Sequence, residues 1–251
     1  MKPLLRLLLL AAAATYVGAE SVPDRPFMIW TRSEADALRA RIESEPWAKA
    51  RYEAMLKEGG RGGTMRNLFR YVVMGDQKAG EAERNYLVGI IGTHPAKAEK
   101  LEHGGRHYDC SWDALRYDCV YPLLTPEERS GIEKTFREYV AYQLEDTKEY
   151  TRTSWLPNMQ WPRPMAAHLM AVALRDRPLI DRIVNSNGGW KWYLDHYITS
   201  EGFYMEEFGK QYSMIGEMLF FCRALERMGL DAIGYGYTGS GGGTMRKYLE
   251  S

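Results

Sequence analysis

The sequence predicts an all-α fold, an incomplete (α/α) toroid or barrel built from antiparallel helical hairpins. Apolar residues recur at helical spacing along most of the chain, and no stretch alternates apolar and polar residues for long enough to indicate a sheet. Short loops join successive helices, which is typical of antiparallel neighbours. An ordinary helical bundle is the alternative arrangement.

The first twenty residues have the pattern of an export signal. Lys2 and Arg6 precede an apolar run of Leu and Ala, and Val17-Gly18-Ala19 supplies small residues for cleavage. The run is well short of the roughly 20 apolar residues that a bilayer span needs. We therefore expect a signal peptide over residues 1–19 and a toroid domain over residues 20–251, truncated at its C-terminal end. The expected location is secreted or periplasmic, with no membrane attachment after signal cleavage.

Charge and cysteine content exclude some classes of partner. The chain has 33 Lys plus Arg and 33 Asp plus Glu, so its overall charge indicates neither a nucleic-acid nor a membrane partner. Cys110, Cys119 and Cys222 form no CxxC pair, and we expect no metal site from cysteine. An oxidising compartment allows a disulfide between the first two, whereas buried free thiols are the state that we favour.

The first helix begins at a capping box. Thr31 and Glu34 stand at the N-cap and N3 positions, where each side chain can satisfy a backbone N–H at the helix start. Apolar positions at helical spacing continue from Leu38 to Met55, and a cluster of glycines follows. This pattern predicts one continuous helix that ends at the glycines.

Further helices are expected before the middle of the chain. One ends at Gly75 and the next begins near Lys78. The buried side of the second is predicted to carry Ala82, Tyr86, Leu87 and Ile90. After a polar loop, a short helix is expected over residues 112–121.

A stronger start signal follows at Thr125, Pro126 and Glu128. Threonine can cap, proline fits the first helical position, and the glutamate completes a capping box. This helix is expected to reach about residue 149. Residues 151–164 are predicted to be non-helical, because three prolines prevent a continuous helix there.

The last third of the chain predicts turns that alternate with helices. Residues 201–204 have turn chemistry, and Gly229 stands in the Schellman position after the last long helix. A glycine-rich turn over residues 239–243 precedes one more helix start. The long helices are expected over residues 165–174, 178–198 and 212–228.

Two loops combine amides, aromatic rings and cations without the periodicity of a core segment. They span residues 153–163 and 202–212, and each leads into a helix N-terminus, where backbone N–H groups and the helix dipole favour an anionic ligand. The candidate residues of the first loop are Trp155, Asn158, Gln160, Trp161 and Arg163. Those of the second loop are Glu207, Lys210, Gln211 and Tyr212. His107, next to Tyr108 and Asp109 in the sequence, is a further candidate to line the cleft.

The order of these motifs resembles the heparinase II/III-like and alginate lyase families of polysaccharide lyases over nearly all of the mature chain. Those families open with a proline-rich segment before a helix, as in Arg25-Pro-Phe-Met-Ile-Trp-Thr31. They continue with a Leu-Thr-Pro-Glu-Glu-Arg helix start, found here at residues 124–129. An asparagine-containing loop then precedes a Gly-Phe-Tyr…Gln-Tyr loop, as Asn158 precedes residues 202–212.

The resemblance implies a helical toroid followed by a β-sandwich, which we expect to be missing from this sequence. It implies β-elimination on a glycosaminoglycan or alginate, with Asn158 neutralising the uronate carboxylate and Tyr212 acting as general base and acid. Met159 stands where some relatives have histidine, so Gln160 is expected to share the role of the asparagine. The expected partners are an acidic polysaccharide and the β-sandwich domain. No cofactor is expected in this fragment, and any structural metal is expected in the β-sandwich.

These residue types suit that reaction. A proton beside a charged carboxylate is poorly acidic, so the site needs donors that stabilise the developing dianion, and amides donate without titrating. A tyrosine, with an ordinary pKa of about 10, becomes a base only when cations or hydrogen bonds favour its phenolate. Lys210 and Arg163 are the nearest cations in the sequence.

Each candidate also has an ordinary structural role. Asn158 can cap a turn between prolines, and Tyr212 can be a core aromatic residue. Trp155 and Trp161 can anchor their loop by packing instead of stacking on sugars. His168 lies in an apolar helix and is expected to be a core histidine whose hydrogen bonds are satisfied.

Two other functions compete with the lyase. An inverting glycoside hydrolase on the same toroid needs two carboxylates, and Asp109 or Asp113 with Glu207 would supply them. A non-catalytic carbohydrate-binding protein would keep the aromatic loops without turnover.

Overall fold

The computed structural model describes residues 23–57, 63–93, 107–153, 161–205 and 215–250. Within these ranges the chain is mostly helical, and its only β-type pairings are two isolated bridges. The prediction of an all-α fold is therefore confirmed. None of the helices in this part of the chain is long and apolar enough to cross a membrane.

The described residues form eleven α-helices. In chain order they are α1 (Arg32–Ser44), α2 (Pro46–Lys57), α3 (Gly63–Val72), α4 (Gln77–Gly89), α5 (His107–Val120), α6 (Pro126–Thr153), α7 (Pro162–Ala173), α8 (Arg177–Val184), α9 (Trp190–Tyr197), α10 (Ile215–Arg227) and α11 (Met245–Glu250). A 3₁₀ turn, Tyr121–Leu123, follows α5.

Local signals set the start of two helices as predicted. At α1, Glu34 N donates to Thr31 Oγ1 at 3.2 Å and Thr31 N donates to Glu34 Oε2 at 2.7 Å. The same reciprocal pair joins Thr125 and Glu128 before α6. Both capping boxes are therefore confirmed, and each satisfies N–H groups that the helix itself leaves unpaired.

The end of α10 is also the predicted one. Gly229 has a φ of 72°, the left-handed conformation that favours glycine. Gly229 N donates to Glu226 O, and Leu230 N donates to Leu225 O. These two hydrogen bonds define the Schellman motif.

Two predicted helices are interrupted. Glu45 has extended backbone angles, with φ −107° and ψ 117°, so Pro46 separates α1 from α2 where periodicity alone predicted one helix. The helix predicted over residues 178–198 is α8 and α9, separated by a turn in which Gly188 has a φ of 75°.

Both ends of the segment predicted to be non-helical, residues 151–153 and 162–164, are helical. Helix α6 continues to Thr153, and α7 begins at Pro162. Proline is well suited to the first helical turn, because the N–H that it lacks would have no helical partner there.

Of the four positions predicted on the buried side of α4, Leu87 and Ile90 are buried and the other two are not. Ala82 and Tyr86 are exposed, whereas Glu83 is 5% exposed. The Glu83 carboxylate accepts hydrogen bonds from Arg116 Nε and Asn67 Nδ2, both at 2.7 Å. An ion pair with hydrogen bonds thus replaces the apolar contact that the pattern indicated.

One end of α5, α7 and α10 is fixed by the chain that precedes α1. Asp118, near the end of α5, accepts a hydrogen bond from Phe27 N at 2.7 Å. Arg227, at the end of α10, donates to the carbonyl of Phe27. Arg25 joins Asp118 to the carbonyl of Ala173 at the end of α7. The C-terminal ends of the three helices therefore meet at one short segment.

The three helices run in the same direction. The ring of Trp112 in α5 packs on Phe220 in α10 with centroids 6.2 Å apart, and His168 in α7 packs on Phe221 at 5.3 Å. Because their C-terminal ends meet at one segment, their N-terminal ends lie at the opposite end of the molecule. Those ends are His107, Pro162 and Ile215.

Helix α6 runs in the opposite direction to α5 and α7. Tyr117, near the end of α5, donates to Glu133 near the start of α6 at 2.5 Å. Arg137, one turn further along α6, pairs with Asp176 just after α7. Sequence neighbours are therefore antiparallel here, as short connections require.

Two turns of the same geometry precede the last part of the chain. We call residues 198–204 the first turn and residues 238–244 the second turn. An isolated bridge closes each between its first and last residues. In each, the second residue donates to the sixth, and the fifth donates to the second. The fifth residue is a glycine with positive φ, 95° at Gly202 and 84° at Gly242.

The two turns pack on each other. Lys247 Nζ donates to Ser200 O in the first turn at 2.7 Å and to Gly242 O in the second at 3.1 Å. A Cβ added to Gly243 would lie 2.4 Å from Ile198 O. The close approach of the two backbones therefore requires glycine at this position.

Candidate functional site

Most of the predicted site residues lie outside the described part of the chain. This holds for Trp155, Asn158 and Gln160 in the first loop, and for Glu207, Lys210, Gln211 and Tyr212 in the second. His107 begins α5, but its side chain also lies outside that part. Arg163 lies in the first turn of α7 and is partly buried. The roles assigned to all of these residues stay predictions.

Trp161 follows the first loop and lies in the core. Its side chain is 3% exposed, and its ring stacks on Tyr193 with centroids 4.0 Å apart and planes 24° apart. The ring also approaches Trp190 at 6.2 Å. This environment favours the packing role for Trp161 over contact with a sugar. The indole N–H is buried and has no hydrogen-bond partner among the residues that the structure describes.

The same aromatic residues fix the start of the second loop. Tyr204 is 5% exposed, and its ring lies 6.1 Å from Tyr193 with planes 27° apart. Tyr193 therefore packs on both Trp161 and Tyr204. Trp161 directly follows residues 154–160, and Tyr204 lies just before residues 206–214. One tyrosine ring therefore contacts the chain next to both segments. The sequence placed Tyr193 inside a predicted helix and gave no sign of this shared contact.

His168 connects α7 to the start of α9 beneath these rings. It is fully buried, and its Nε2 accepts a hydrogen bond from Trp190 N at 3.0 Å. Because a backbone N–H can only donate, Nε2 carries no proton, and Nδ1 donates to Pro164 O at 2.6 Å. Burial lowers the pKa of His168 to about 4. The prediction of a satisfied core histidine is confirmed.

Glu217 is a titratable group that the sequence did not bring to attention. It lies in the first turn of α10, the helix that follows the second loop. Burial raises the pKa of its carboxyl group to about 7. A group that exchanges a proton near neutral pH therefore lies at the N-terminal end of α10. No motif marks it, because its pKa depends on residues that pack around it from elsewhere in the chain.

The pair of Asp113 and Glu207, one of the two proposed for the hydrolase, is unfavourable for catalysis. Asp113 is 1% exposed, and its Oδ1 accepts from Arg116 Nη1 at 2.8 Å. A carboxylate held in a buried ion pair is poorly placed to act on a sugar. The side chains of the alternative residue Asp109 and of Glu207 lie outside the described part of the chain.

The cysteines have the state that the sequence favoured. Cys110, Cys119 and Cys222 are buried and free. Burial raises the pKa of the Cys119 and Cys222 thiols, which keeps them as unreactive thiols at neutral pH. Among the described residues, no group of three or more His, Cys, Asp and Glu is arranged to hold a metal ion.

Comparisons with known proteins do not assign the chain to a family. No protein-family model matches it, and no curated protein matches it significantly.

Proposed function

We propose that this protein is a polysaccharide lyase that cleaves a uronic-acid polymer, a glycosaminoglycan or alginate, by β-elimination. The observation that carries the proposal is the packing of Tyr193 on both Trp161 and Tyr204. This packing brings Trp161 of the first predicted loop and Tyr204 of the second to one ring, which supports the proposal that the amide of one loop and the phenol of the other act on one sugar.

The arrangement of helices supports the same location. The N-terminal ends of α7 and α10, which follow the two loops, lie at one end of the molecule. The dipoles of both helices favour an anion such as a uronate carboxylate at this end. Glu217 adds a proton-exchanging carboxyl group at that end.

The proposal includes an (α/α) toroid as the architecture. In such a toroid the inner helices run in one direction and the outer helices run in the other. The common direction of α5, α7 and α10, opposite to that of α6, agrees with this. The recurrence of one turn geometry at residues 198–204 and 238–244 agrees with a repeated helical unit.

The proposed reaction assigns one role to each loop. Asn158, assisted by Gln160, donates hydrogen bonds to the uronate carboxylate and stabilises the charge that develops on it. The Tyr212 phenolate removes the proton from the adjacent carbon. The electron pair of that C–H bond forms a C=C bond, the bond to the leaving sugar oxygen breaks, and this oxygen takes up the proton from the Tyr212 phenol, which returns to the phenolate. Lys210 and Arg163 supply positive charge that favours the phenolate.

The ultraviolet absorbance of the new unsaturated uronate tests this proposal. We would measure it for the full-length protein with alginate, heparan sulfate, chondroitin sulfate and hyaluronan. One polymer is expected to give the signal, and Tyr212→Phe is expected to lower kcat by about 10²- to 10⁴-fold while substrate binding persists.

The matched control is Tyr86→Phe, which removes a hydroxyl from an exposed tyrosine on α4 and is expected to leave the rate unchanged. Reducing ends that form without absorbance would indicate a hydrolase. Polymer binding without any cleavage would indicate a carbohydrate-binding protein. Either result would contradict the lyase.

A further inference from the structure

The first turn exposes an aromatic ring on a fixed backbone. Phe203 is 46% exposed, although its N–H donates to Thr199 Oγ1 at 3.1 Å and its carbonyl accepts from Thr199 N at 2.9 Å. The preceding Gly202 has a φ of 95°, and a Cβ there would lie 2.4 Å from the backbone of Lys247. The backbone therefore has little freedom to turn the ring inward.

The side chain of Phe203 is not part of the core. Successive residues of an extended segment point to opposite sides, and Tyr204 is the one that packs on Tyr193. Met205, on the same side as Phe203, is 64% exposed. Single exposed apolar residues are common, but here two of them lie on one side of the chain where the first turn continues into the second loop.

A cation is held on the same turn as this ring. Lys247 contacts Gly202, and its ammonium group donates to the carbonyls of Ser200 and Gly242. An ammonium group has three N–H groups, so one is left after these two hydrogen bonds. Glu201 is the acidic side chain of the same turn, and its carboxylate accepts from Ser200 Oγ at 2.6 Å.

We propose that Phe203 and Lys247 form a subsite for one acidic sugar unit, next to the unit at which the bond is cleaved. This inference rests on the proposed lyase function. The apolar C–H face of a pyranose ring can pack on the phenyl ring, and a carboxylate at the edge of the sugar can pair with the ammonium group. Tyr204, which follows Phe203, packs on Tyr193, and Tyr193 is the ring that lies next to both predicted loops.

The dependence of KM on substrate length tests the subsite. Phe203→Ala is expected to raise KM for the cleaved polymer by about three- to tenfold, and to raise it less for the shortest oligosaccharide that is cleaved. Phe203→Trp keeps an aromatic face and is expected to restore the KM for the polymer. The matched control is Trp47→Ala, which removes a ring of similar exposure, 48%, from α2 and is expected to leave KM unchanged.

Variants that change the charge of this turn test the subsite independently. Lys247→Gln is expected to raise KM for the polymer, with a larger effect at low ionic strength, whereas Glu201→Gln is expected to lower it. Circular dichroism of each variant checks that the helices are retained.

A Phe203→Ala variant that matches the native protein on polymer would overturn the subsite and leave the lyase function intact. An equal rise of KM for long and short substrates would also overturn it. A native protein that forms no unsaturated product from any polymer would overturn the proposed function, and the subsite with it.

Discussion

His168 links the protonation of a single buried side chain to the stability of the fold. Its Nε2 accepts from Trp190 N, so a second proton on the ring would place one N–H against another. The imidazole therefore stays neutral in the folded state at pH values where an exposed histidine is already charged. This constraint acts directly beneath the aromatic residues that hold both loops.

Acid is expected to destabilise the protein through this histidine. His168 takes up a proton near pH 6.5 in the unfolded chain but only near pH 4 in the folded protein. The free energy of unfolding therefore falls as the pH is lowered through this window. The loss from this group is about 3 kcal/mol at most. Urea unfolding at several pH values measures it. His168→Gln, which cannot titrate, is expected to flatten this part of the pH dependence, and an identical slope in both proteins would contradict the assignment.

Helices and turns differ in how far the sequence predicts them. Thr31 and Glu34 lie three residues apart, so their reciprocal hydrogen bonds could be predicted from the sequence alone. Glu83 is buried because Arg116, 33 positions away, pairs with it. An apolar pattern contains no information about such a partner, and it indicated Tyr86 instead.

The candidate site could be predicted only as two loops with suitable residue types. Their common anchor, Tyr193, lies in a helix between them and has the same pattern as any core aromatic residue. The repeated turn was also missed. Its two copies share a backbone path and a glycine at the fifth position, but few other residue types, so no sequence repeat stands out.

Gly202→Ala is expected to destabilise the first turn. Alanine there would need a φ of 95°, and its Cβ would lie 2.4 Å from the backbone of Lys247. Such strain costs on the order of 1–3 kcal/mol or more. Gly241→Ala is the matched control, because a Cβ at Gly241 would meet nothing within 4 Å and its φ is not positive. Thermal unfolding compares the two, and equal melting temperatures would contradict the account of the turn.

Across the whole molecule, the chain before α1 holds one end of the three parallel helices, and the helix starts that follow the two predicted loops lie at the other end. Asp118 is central to the first end, because it is fully buried and binds both Arg25 and the backbone N–H groups of Phe27 and Met28. Burial raises the pKa of Asp118, and Arg25 and these two N–H groups oppose the rise. Its carboxylate is therefore important for the stability of the entire fold.

Asp118→Ala is expected to lower the free energy of unfolding by about 3–5 kcal/mol, because it leaves a buried guanidinium group without its partner. The control is Asp181→Ala, which removes an exposed ion pair with Arg177 and is expected to cost less than about 1 kcal/mol. Chemical denaturation measures both variants. A similar small loss in both would show that the segment before α1 contributes little to the fold.

The most direct test of the central claim is whether positions 158 and 212 face one groove. The three native cysteines are buried, so thiols introduced by Asn158→Cys and Tyr212→Cys would be the reactive ones. A short bifunctional maleimide is expected to link them within one molecule, as detected by mass spectrometry of a digest. The pair Asn158→Cys and Lys134→Cys, with its second thiol at the opposite end, is expected to give no link. Labelling of both thiols at 158 and 212 without a link between them would contradict the account.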